Sequence, residues 1–361
     1  MKPTQQLHNL GQSLWLDNIT RGLLTSGTLR RYRDEFCITG LTSNPSIFDH
    51  AIMNSNSYDD AIGQKRKEGK SGEELFFALA LEDLRHATDL FRPIYDATDG
   101  LDGWASLEVS PLLAYDAASS VKEAVQLHSR AQRPNLFIKI PGTSEGTVAI
   151  EEATFAGVPV NVTLLFSREH YIASAEAYLR GVERRIAAGL DPKVRSVASV
   201  FISRWDKAVM GKVPKELQDR LGIAIAGRTY KAYRELLASE RWQKLATAGA
   251  WPQRLLWAST GTKDPNASDV LYVEALAAPD TINTIPDKTL LAFADHGKLS
   301  GVLPVDGGDA ERVIARFAEV GIDDNQIAAE LQREGAESFV KAWKDLIDRI
   351  DSKSATLKAA S

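Results

Sequence analysis

Eight short apolar runs alternate with segments of helical periodicity along this chain, and that alternation constrains the fold more than any other feature. The runs lie at Ser13–Asp17, Cys37–Thr42, Trp104–Ser110, Asn135–Ile140, Pro159–Leu164, Val194–Ile202, Arg254–Ala258 and Thr281–Thr284. Strands that alternate with helices form a parallel sheet, and eight of them are the number that closes a (β/α)8 barrel. We therefore predict an α/β protein with one TIM-type barrel and additional helices.

An open, doubly wound sheet is the main alternative to the barrel. Such a sheet would carry a glycine-rich phosphate loop after its first strand, and the segment LWLDNITRG (Leu14–Gly22) contains no such loop. We expect residues 1–361 to form a single catalytic barrel domain. Phe339, Trp343 and Leu346 form an apolar stripe at helical spacing, which predicts that a C-terminal helical extension at about 309–352 packs back on the barrel.

Two helices can be delimited from their terminal residues. The tetrapeptide SGEE, which begins at Ser71, is a capping-box pattern ahead of a long apolar stripe, so a helix is predicted to start there. A second apolar stripe, from Tyr171 to Ile186, ends before Gly189, a residue type common at helix C-termini.

Composition excludes several classes of function. The chain has a net charge of −5 without a long block of either sign, so neither nucleic acid nor an anionic membrane surface is expected as a partner. Cys37 is the only cysteine, the N-terminal segment is polar and no long apolar span occurs, which together predict a cytoplasmic protein without a membrane anchor. Its six histidines are scattered, so no metal site is predicted.

One lysine stands out within the fourth run, NLFIKIPGTSEG (Asn135–Gly146). Strand alternation places Lys139 on the same face as Phe137. The apolar composition of the whole run predicts a strand that is buried on both faces. A buried ammonium is unfavourable unless it is paired or deprotonated. Two interpretations follow: the side chain extends to solvent at the strand end, or it is a functional amine.

Other strand ends carry polar residues as well. Barrel enzymes build their sites at the C-terminal ends of the strands, so these residues are the candidate site. They are Asp17, Thr42, Asn44, Glu108, Lys139, Asn161, Thr163, Ser199, Arg204, Ser259 and Lys263. A matched polar set from seven strands favours the functional interpretation of the lysine.

The types of residue in this set narrow the chemistry. It offers one amine, two carboxylates and several neutral hydrogen-bonding groups, with no histidine dyad, metal cluster or dinucleotide fingerprint. An uncharged amine can attack a ketone and form an iminium, while the carboxylates move protons. Arg204, Lys263 and Ser259 are suited to holding a phosphate.

Five segments at the strand ends resemble the transaldolase family, in the order in which that family has them. They are LTSNPSIF (Leu41–Phe48), SLEVSP (Ser106–Pro111), IKIPGTSEG (Ile138–Gly146), NVTLLFS (Asn161–Ser167) and ASTGTK (Ala258–Lys263). The resemblance covers most of the chain, and its length and C-terminal helices are similar to the longer bacterial subgroup.

The resemblance implies a role for each catalytic candidate. Lys139 would form the Schiff base that holds a dihydroxyacetone unit, and Asp17 would remove and return the C4 hydroxyl proton. Glu108 would act through a water positioned by Thr163.

It also implies which residues bind the substrate. Thr42, Asn44, Asn161 and Ser199 would lie around the bound three-carbon unit. Arg204, Ser259 and Lys263 would hold the phosphate. Some relatives have an arginine two residues after the serine, but this sequence has Gly261 there.

The implied reaction is reversible transfer of dihydroxyacetone from sedoheptulose 7-phosphate to glyceraldehyde 3-phosphate, which yields erythrose 4-phosphate and fructose 6-phosphate in the non-oxidative pentose phosphate pathway. No cofactor is implied, and a homodimer is expected. The alternatives are a fructose 6-phosphate aldolase, in which glutamine typically stands at the position of Glu108, a catalytically silent sugar-phosphate-binding barrel, and a metal-dependent aldolase.

Overall fold

A closed barrel of eight parallel strands forms the centre of the computed structural model, which describes residues 1–359. The strands are β1 (Ser13–Leu16), β2 (Ile38–Leu41), β3 (Ala105–Glu108), β4 (Leu136–Pro141), β5 (Val160–Leu165), β6 (Ser196–Phe201), β7 (Gln253–Ala258) and β8 (Ile282–Ile285). Each strand pairs with the next, and β8 pairs with β1. The predicted barrel is confirmed, and the open sheet is excluded.

Helices surround the barrel and connect its strands. They are α1 (Pro3–Asn9), α2 (Arg21–Thr25), α3 (Thr28–Phe36), α4 (Pro45–Met53), α5 (Asp59–Lys67), α6 (Gly72–Ala97), α7 (Ala117–Ala131), α8 (Ser144–Phe155), α9 (Arg168–Ala187), α10 (Ser203–Val209), α11 (Leu221–Ala238), α12 (Glu240–Thr247), α13 (Leu271–Ala275), α14 (Asp287–His296), α15 (Ala310–Glu319) and α16 (Asp324–Ala359). Within residues 1–359, none of the helices combines the length and the apolar composition needed to cross a membrane.

The two helices predicted from their terminal residues are present. Helix α9 ends at Ala187, and Gly189 then adopts a left-handed φ of 68°. Helix α6 begins directly after Ser71, but the Ser71 side chain makes no capping hydrogen bond. The predicted position of the start is therefore right, whereas the proposed capping interaction is wrong.

An aromatic stack fills the barrel beneath the candidate site. The rings of Trp104 and Phe137 stack with their centroids 4.0 Å apart, and Trp15 packs on Phe137 at 6.1 Å. The Trp15 indole N–H donates to Asp102 over 2.8 Å, which satisfies its one polar atom. These side chains form a solid floor, since Phe137 lies two residues before Lys139 on the same face of β4.

Helix α16 lies across the C-terminal ends of the strands. Gln332 donates from Nε2 to the carbonyl oxygens of Gly142 and Leu164, 3.0 Å away in each case, which ties the helix to the ends of β4 and β5. Farther along, Trp343 packs edge-on against Phe76 of α6 with centroids 5.0 Å apart. The predicted packing of the C-terminal helices on the barrel is confirmed, whereas the assignment of the whole chain to one domain stays a prediction.

Candidate active site

Lys139 points into the barrel. It pairs in register with Glu108 of β3 and with Asn161 of β5, and its side chain is buried. Its Nζ donates to the carbonyl oxygen of Ser43 over 3.0 Å and lies 3.6 Å from Glu108 Oε2. The interpretation in which this lysine extends to solvent is therefore wrong.

Asp17 follows the end of β1 and is held by the neighbouring strand. Thr42 Oγ1 donates to Asp17 Oδ1 over 2.8 Å, and the hydroxyls of Thr42 and Thr284 are 2.6 Å apart. Burial raises the pKa of the Asp17 carboxyl, and the positive charges of Lys139 and Lys263 oppose that rise only in part. A carboxyl group in this state is suited to exchanging a proton with a substrate hydroxyl.

Glu108 has different surroundings. Burial raises the pKa of its carboxyl group, and the charge of Lys139 counteracts this. Among the described residues, neither Glu108 oxygen has a hydrogen-bond partner, because the 3.6 Å to Lys139 is too long for a hydrogen bond. The buried hydroxyl of Thr163 likewise has no partner within residues 1–359.

Neutral side chains complete the inner part of the site. Ser199 Oγ donates to Asn161 Oδ1 over 2.7 Å, and Asn161 Nδ2 in turn donates to Ser106 Oγ over 3.1 Å. Asn44 Oδ1 accepts from the backbone N–H of Ile47 over 3.0 Å and so caps the start of α4. The strand ends thus present oriented amide and hydroxyl groups that can bind a small polyhydroxylated molecule.

Most of these side chains line one inner cavity of about 120 Å³. Nine of the eleven predicted residues line it: Asp17, Thr42, Asn44, Lys139, Thr163, Ser199, Arg204, Ser259 and Lys263. The other two lie directly behind the lining, Glu108 beside Lys139 and Asn161 beside Ser199. The predicted set is therefore brought together at the C-terminal end of the barrel.

A wider outer cavity of about 480 Å³ adjoins the inner one. Arg204, Ser259 and Lys263 line both, and Lys207 and Glu334 line only the outer one. Burial is the main cause that lowers the pKa of Lys263, and the positive charges of Arg204 and Lys207 lower it further. Three cations and one carboxylate thus give the outer cavity a positive balance that suits an anionic group.

Six lining residues of the inner cavity are outside the predicted set, and two of them, Thr284 and Phe339, show what sequence reasoning missed. Thr284, at the end of β8, follows the same strand-end rule as the other candidates, so its signal was present in the sequence. Phe339 belongs to α16, and as part of an apolar helical stripe it is indistinguishable by sequence from ordinary core. Its ring also lies 5.9 Å from the guanidinium of Arg204.

Comparison with known proteins agrees with this geometry. The sequence matches the family model described as Transaldolase/Fructose-6-phosphate aldolase over residues 14–350. It is 42% identical over 368 residues to a protein named transaldolase from Arthrobacter sp. (strain FB24), with 99% of each chain covered. The transaldolase of Thiobacillus denitrificans is 43% identical over 97% of this chain and 100% of its own, and that of Thermobifida fusca 44% identical over 96% and 97%.

Relatives of this similarity, matched along almost their whole lengths, support transaldolase, a transferase, as the function. They also confirm the resemblance that the five strand-end segments indicate. The chain belongs to the transaldolase/fructose-6-phosphate aldolase family.

Proposed function

We propose that this protein is a transaldolase that moves a dihydroxyacetone unit from sedoheptulose 7-phosphate to glyceraldehyde 3-phosphate through a Schiff base on Lys139. The products are erythrose 4-phosphate and fructose 6-phosphate, which places the reaction in the non-oxidative pentose phosphate pathway. One observation carries the proposal. The amine of Lys139 is buried in a barrel cavity, 3.6 Å from one carboxyl group and in the same cavity as a second.

Schiff-base formation begins when Lys139 Nζ attacks the C2 carbonyl of the ketose. The resulting carbinolamine loses its hydroxyl as water after a proton is added to the oxygen, which leaves an iminium. Glu108 is suited to supply that proton because burial raises the pKa of its carboxyl group. Its two oxygens and the Thr163 hydroxyl lack partners in the described residues, which fits a relay through a water held between them.

Cleavage follows at the bond between C3 and C4. Asp17 takes the proton of the C4 hydroxyl, the C3–C4 bond breaks, and its electron pair moves into the iminium to form an enamine. The released aldehyde leaves, and the enamine then attacks the acceptor aldehyde while Asp17 returns the proton. The hydrogen bond from Thr42 holds one Asp17 oxygen and leaves the other available for the C4 hydroxyl.

Binding groups keep the three-carbon unit in place between the two half-reactions. The hydroxyls of that unit are expected to form hydrogen bonds with four side chains around Lys139: Thr42, Asn44, Asn161 and Ser199. The chemistry needs no cofactor because the iminium itself accepts the electron pair. A homodimer and a cytoplasmic location stay predictions.

The phosphate is expected at the junction of the inner and outer cavities. Arg204, Ser259 and Lys263 line both cavities there. A side chain at Gly261 would begin 3.8 Å from Lys263 Nζ, so the ammonium lies close to where the side chain of an arginine at that position would start. This closeness supports Lys263 as the second phosphate cation in place of a residue at 261.

Borohydride trapping tests the proposal directly. Incubation with fructose 6-phosphate and borohydride should reduce the iminium and leave a stable dihydroxyacetone adduct, and peptide mass mapping should find that adduct on Lys139. Lys139→Met should abolish it, whereas Lys341→Met, at an exposed lysine of α16, should not. An adduct on another lysine would overturn the mechanism.

A separate incubation with fructose 6-phosphate, without borohydride and without an acceptor, distinguishes the lyase alternative. A fructose 6-phosphate aldolase would release free dihydroxyacetone without an acceptor aldehyde, whereas a transaldolase retains the unit until an acceptor arrives. Glu108, in place of the glutamine typical of the lyase, favours the transferase.

A further inference from the structure

Gly335 occupies an unusual position in α16. It lies inside a regular helix, where glycine is less favourable than alanine because it loses more backbone freedom on folding. It is buried against the barrel, and its helical backbone needs no positive φ. The reason for a glycine must therefore be found in the space around its missing side chain.

Three residues lie within 4 Å of that space, and two of them, Leu164 and Arg204, are unusually close to it. A Cβ at position 335 would lie 3.0 Å from Leu164 Cδ2 and 3.2 Å from Arg204 Nη1. Both distances are shorter than ordinary carbon contacts of 3.5–4.0 Å. Any larger residue must therefore displace the leucine, the arginine or the helix.

Leu164 and the helix are held in place. Leu164 is fully buried and has a left-handed φ of 59°. Its carbonyl oxygen accepts a hydrogen bond from Gln332, which lies one turn before Gly335 on α16 and also donates to Gly142.

The guanidinium of Arg204, by contrast, is the far end of a flexible side chain. It lies 5.0 Å from the ring of Phe201 and 5.9 Å from that of Phe339, but it also lines both cavities and so has space to shift. Arg204 is thus the group that yields.

We propose that Gly335 is a positioning residue that lets α16 approach Arg204 closely and so sets the orientation of its guanidinium toward the substrate phosphate. This inference rests on the proposed function. A guanidinium binds phosphate through paired, planar hydrogen bonds, so its orientation determines their strength. The catalytic groups Lys139, Asp17 and Glu108 are not among the nearest neighbours of the added Cβ.

The test is Gly335→Ala, assayed with saturating sedoheptulose 7-phosphate as donor and with two acceptors, and transfer is followed as release of erythrose 4-phosphate. Glyceraldehyde 3-phosphate carries the phosphate, and glyceraldehyde does not. We expect kcat/KM for the phosphorylated acceptor to fall roughly fivefold while that for glyceraldehyde stays within about twofold, because a small misplacement weakens only the phosphate contacts. Inorganic phosphate, as a competitive inhibitor, should also bind more weakly.

Gly63→Ala is the matched control. Gly63 lies inside α5, and an added Cβ there meets no atom within 4 Å. Both acceptors should be used as in the wild type. In an Arg204→Ala background, Gly335→Ala should not lower the ratio of kcat/KM for glyceraldehyde 3-phosphate to that for glyceraldehyde any further. The group through which it acts has already been removed.

Several outcomes would overturn the inference. One is an equal fall in kcat/KM for both acceptors, and another is an unchanged ratio of the two kcat/KM values. The others are a full additional fall in that ratio in the Arg204→Ala background, or a Gly335→Ala chain that does not fold. The last would mean that Arg204 does not absorb the crowding. A wild-type protein without transfer activity would instead overturn the proposed function, so the two failures are distinguishable.

Discussion

The two carboxyl groups of the site, half-buried Asp17 and buried Glu108, differ in how they are held. Asp17 accepts a hydrogen bond from Thr42, whereas Glu108 has no hydrogen-bond partner within residues 1–359 and faces only the charge of Lys139. Burial raises the pKa of both. A fixed carboxyl group suits direct proton transfer to a substrate, and an unbound one suits transfer through a mobile water.

Glu108→Gln should separate these roles. The amide preserves the size of the side chain but cannot exchange a proton, so we expect transfer of the three-carbon unit to fall about 10²-fold. Release of free dihydroxyacetone should rise relative to transfer, as in the lyase relatives. Coupled assays for both products check this, and a variant with wild-type transfer would contradict the assigned role.

Asp17→Asn should block cleavage without blocking Schiff-base formation. Turnover of fructose 6-phosphate should fall by roughly 10²–10⁴-fold, because the C4 hydroxyl has lost its base. Borohydride should still trap the intact ketose on Lys139, visible as a six-carbon instead of a three-carbon adduct by mass. Loss of all trapping would show that Asp17 acts earlier in the reaction.

The same aspartate predicts a pH dependence. Asp17 must be ionised to accept a proton, and burial raises its pKa above the ordinary value of 3.8. Since a raised pKa keeps the proton bound to higher pH, kcat/KM should fall as pH decreases through a range that lies above 3.8. An acid limb centred at or below 3.8 in the measured profile would be inconsistent with a base whose pKa is raised.

At the scale of elements, α16 is the helix that both contacts the strand ends of the barrel and lines the cavity of the candidate site. It contacts the ends of β4 and β5 through Gln332, lines the inner cavity with Phe339, and packs on α6 through Trp343. Trp343 Nε1 also donates to Glu73 over 2.8 Å. The helix thus lines the inner cavity with Phe339 and is fixed to the rest of the fold by the contacts of Trp343.

Trp343→Ala should weaken that anchor. The ring is 2% exposed and packs against both Phe76 and Phe77, so its removal leaves a large cavity and should lower the free energy of unfolding by about 3–5 kcal/mol. Urea denaturation measures this. Trp343→Phe, which retains an aromatic ring, should lower the free energy of unfolding by less. Equal decreases for the two variants would argue against packing as the cause.

At the scale of the whole molecule, an acidic protein presents a positive opening to its substrates. The net charge is −5, yet Arg204, Lys207 and Lys263 line the outer cavity with only Glu334 opposing them. Glyceraldehyde 3-phosphate should therefore be used less efficiently at high salt, with kcat/KM several-fold lower at about 0.5 M than at about 0.02 M salt, because screening weakens charge attraction. Glyceraldehyde is the uncharged control, and an equal loss with both acceptors would exclude this explanation.

The barrel was predictable because its signals are local. Parallel strands covered by helices are apolar throughout, so runs such as Asn135–Ile140 are visible without knowledge of the fold, and the strand-end rule then brings Asp17 and Lys139 together. What could not be predicted depends on contacts between distant parts of the chain. Phe339 follows the same helical period as core residues, and only the path of α16 across the barrel directs its ring into the cavity.

The route of α16 also has a consequence for biosynthesis. All eight barrel strands are translated before Phe339, Gln332 and Gly335, so the barrel can close while one wall of its cavity is still missing. A nascent chain at that stage would hold its reactive lysine in a chamber open to water. The docking of one late helix therefore completes the enclosure, and it makes competence for catalysis a later event than formation of the sheet.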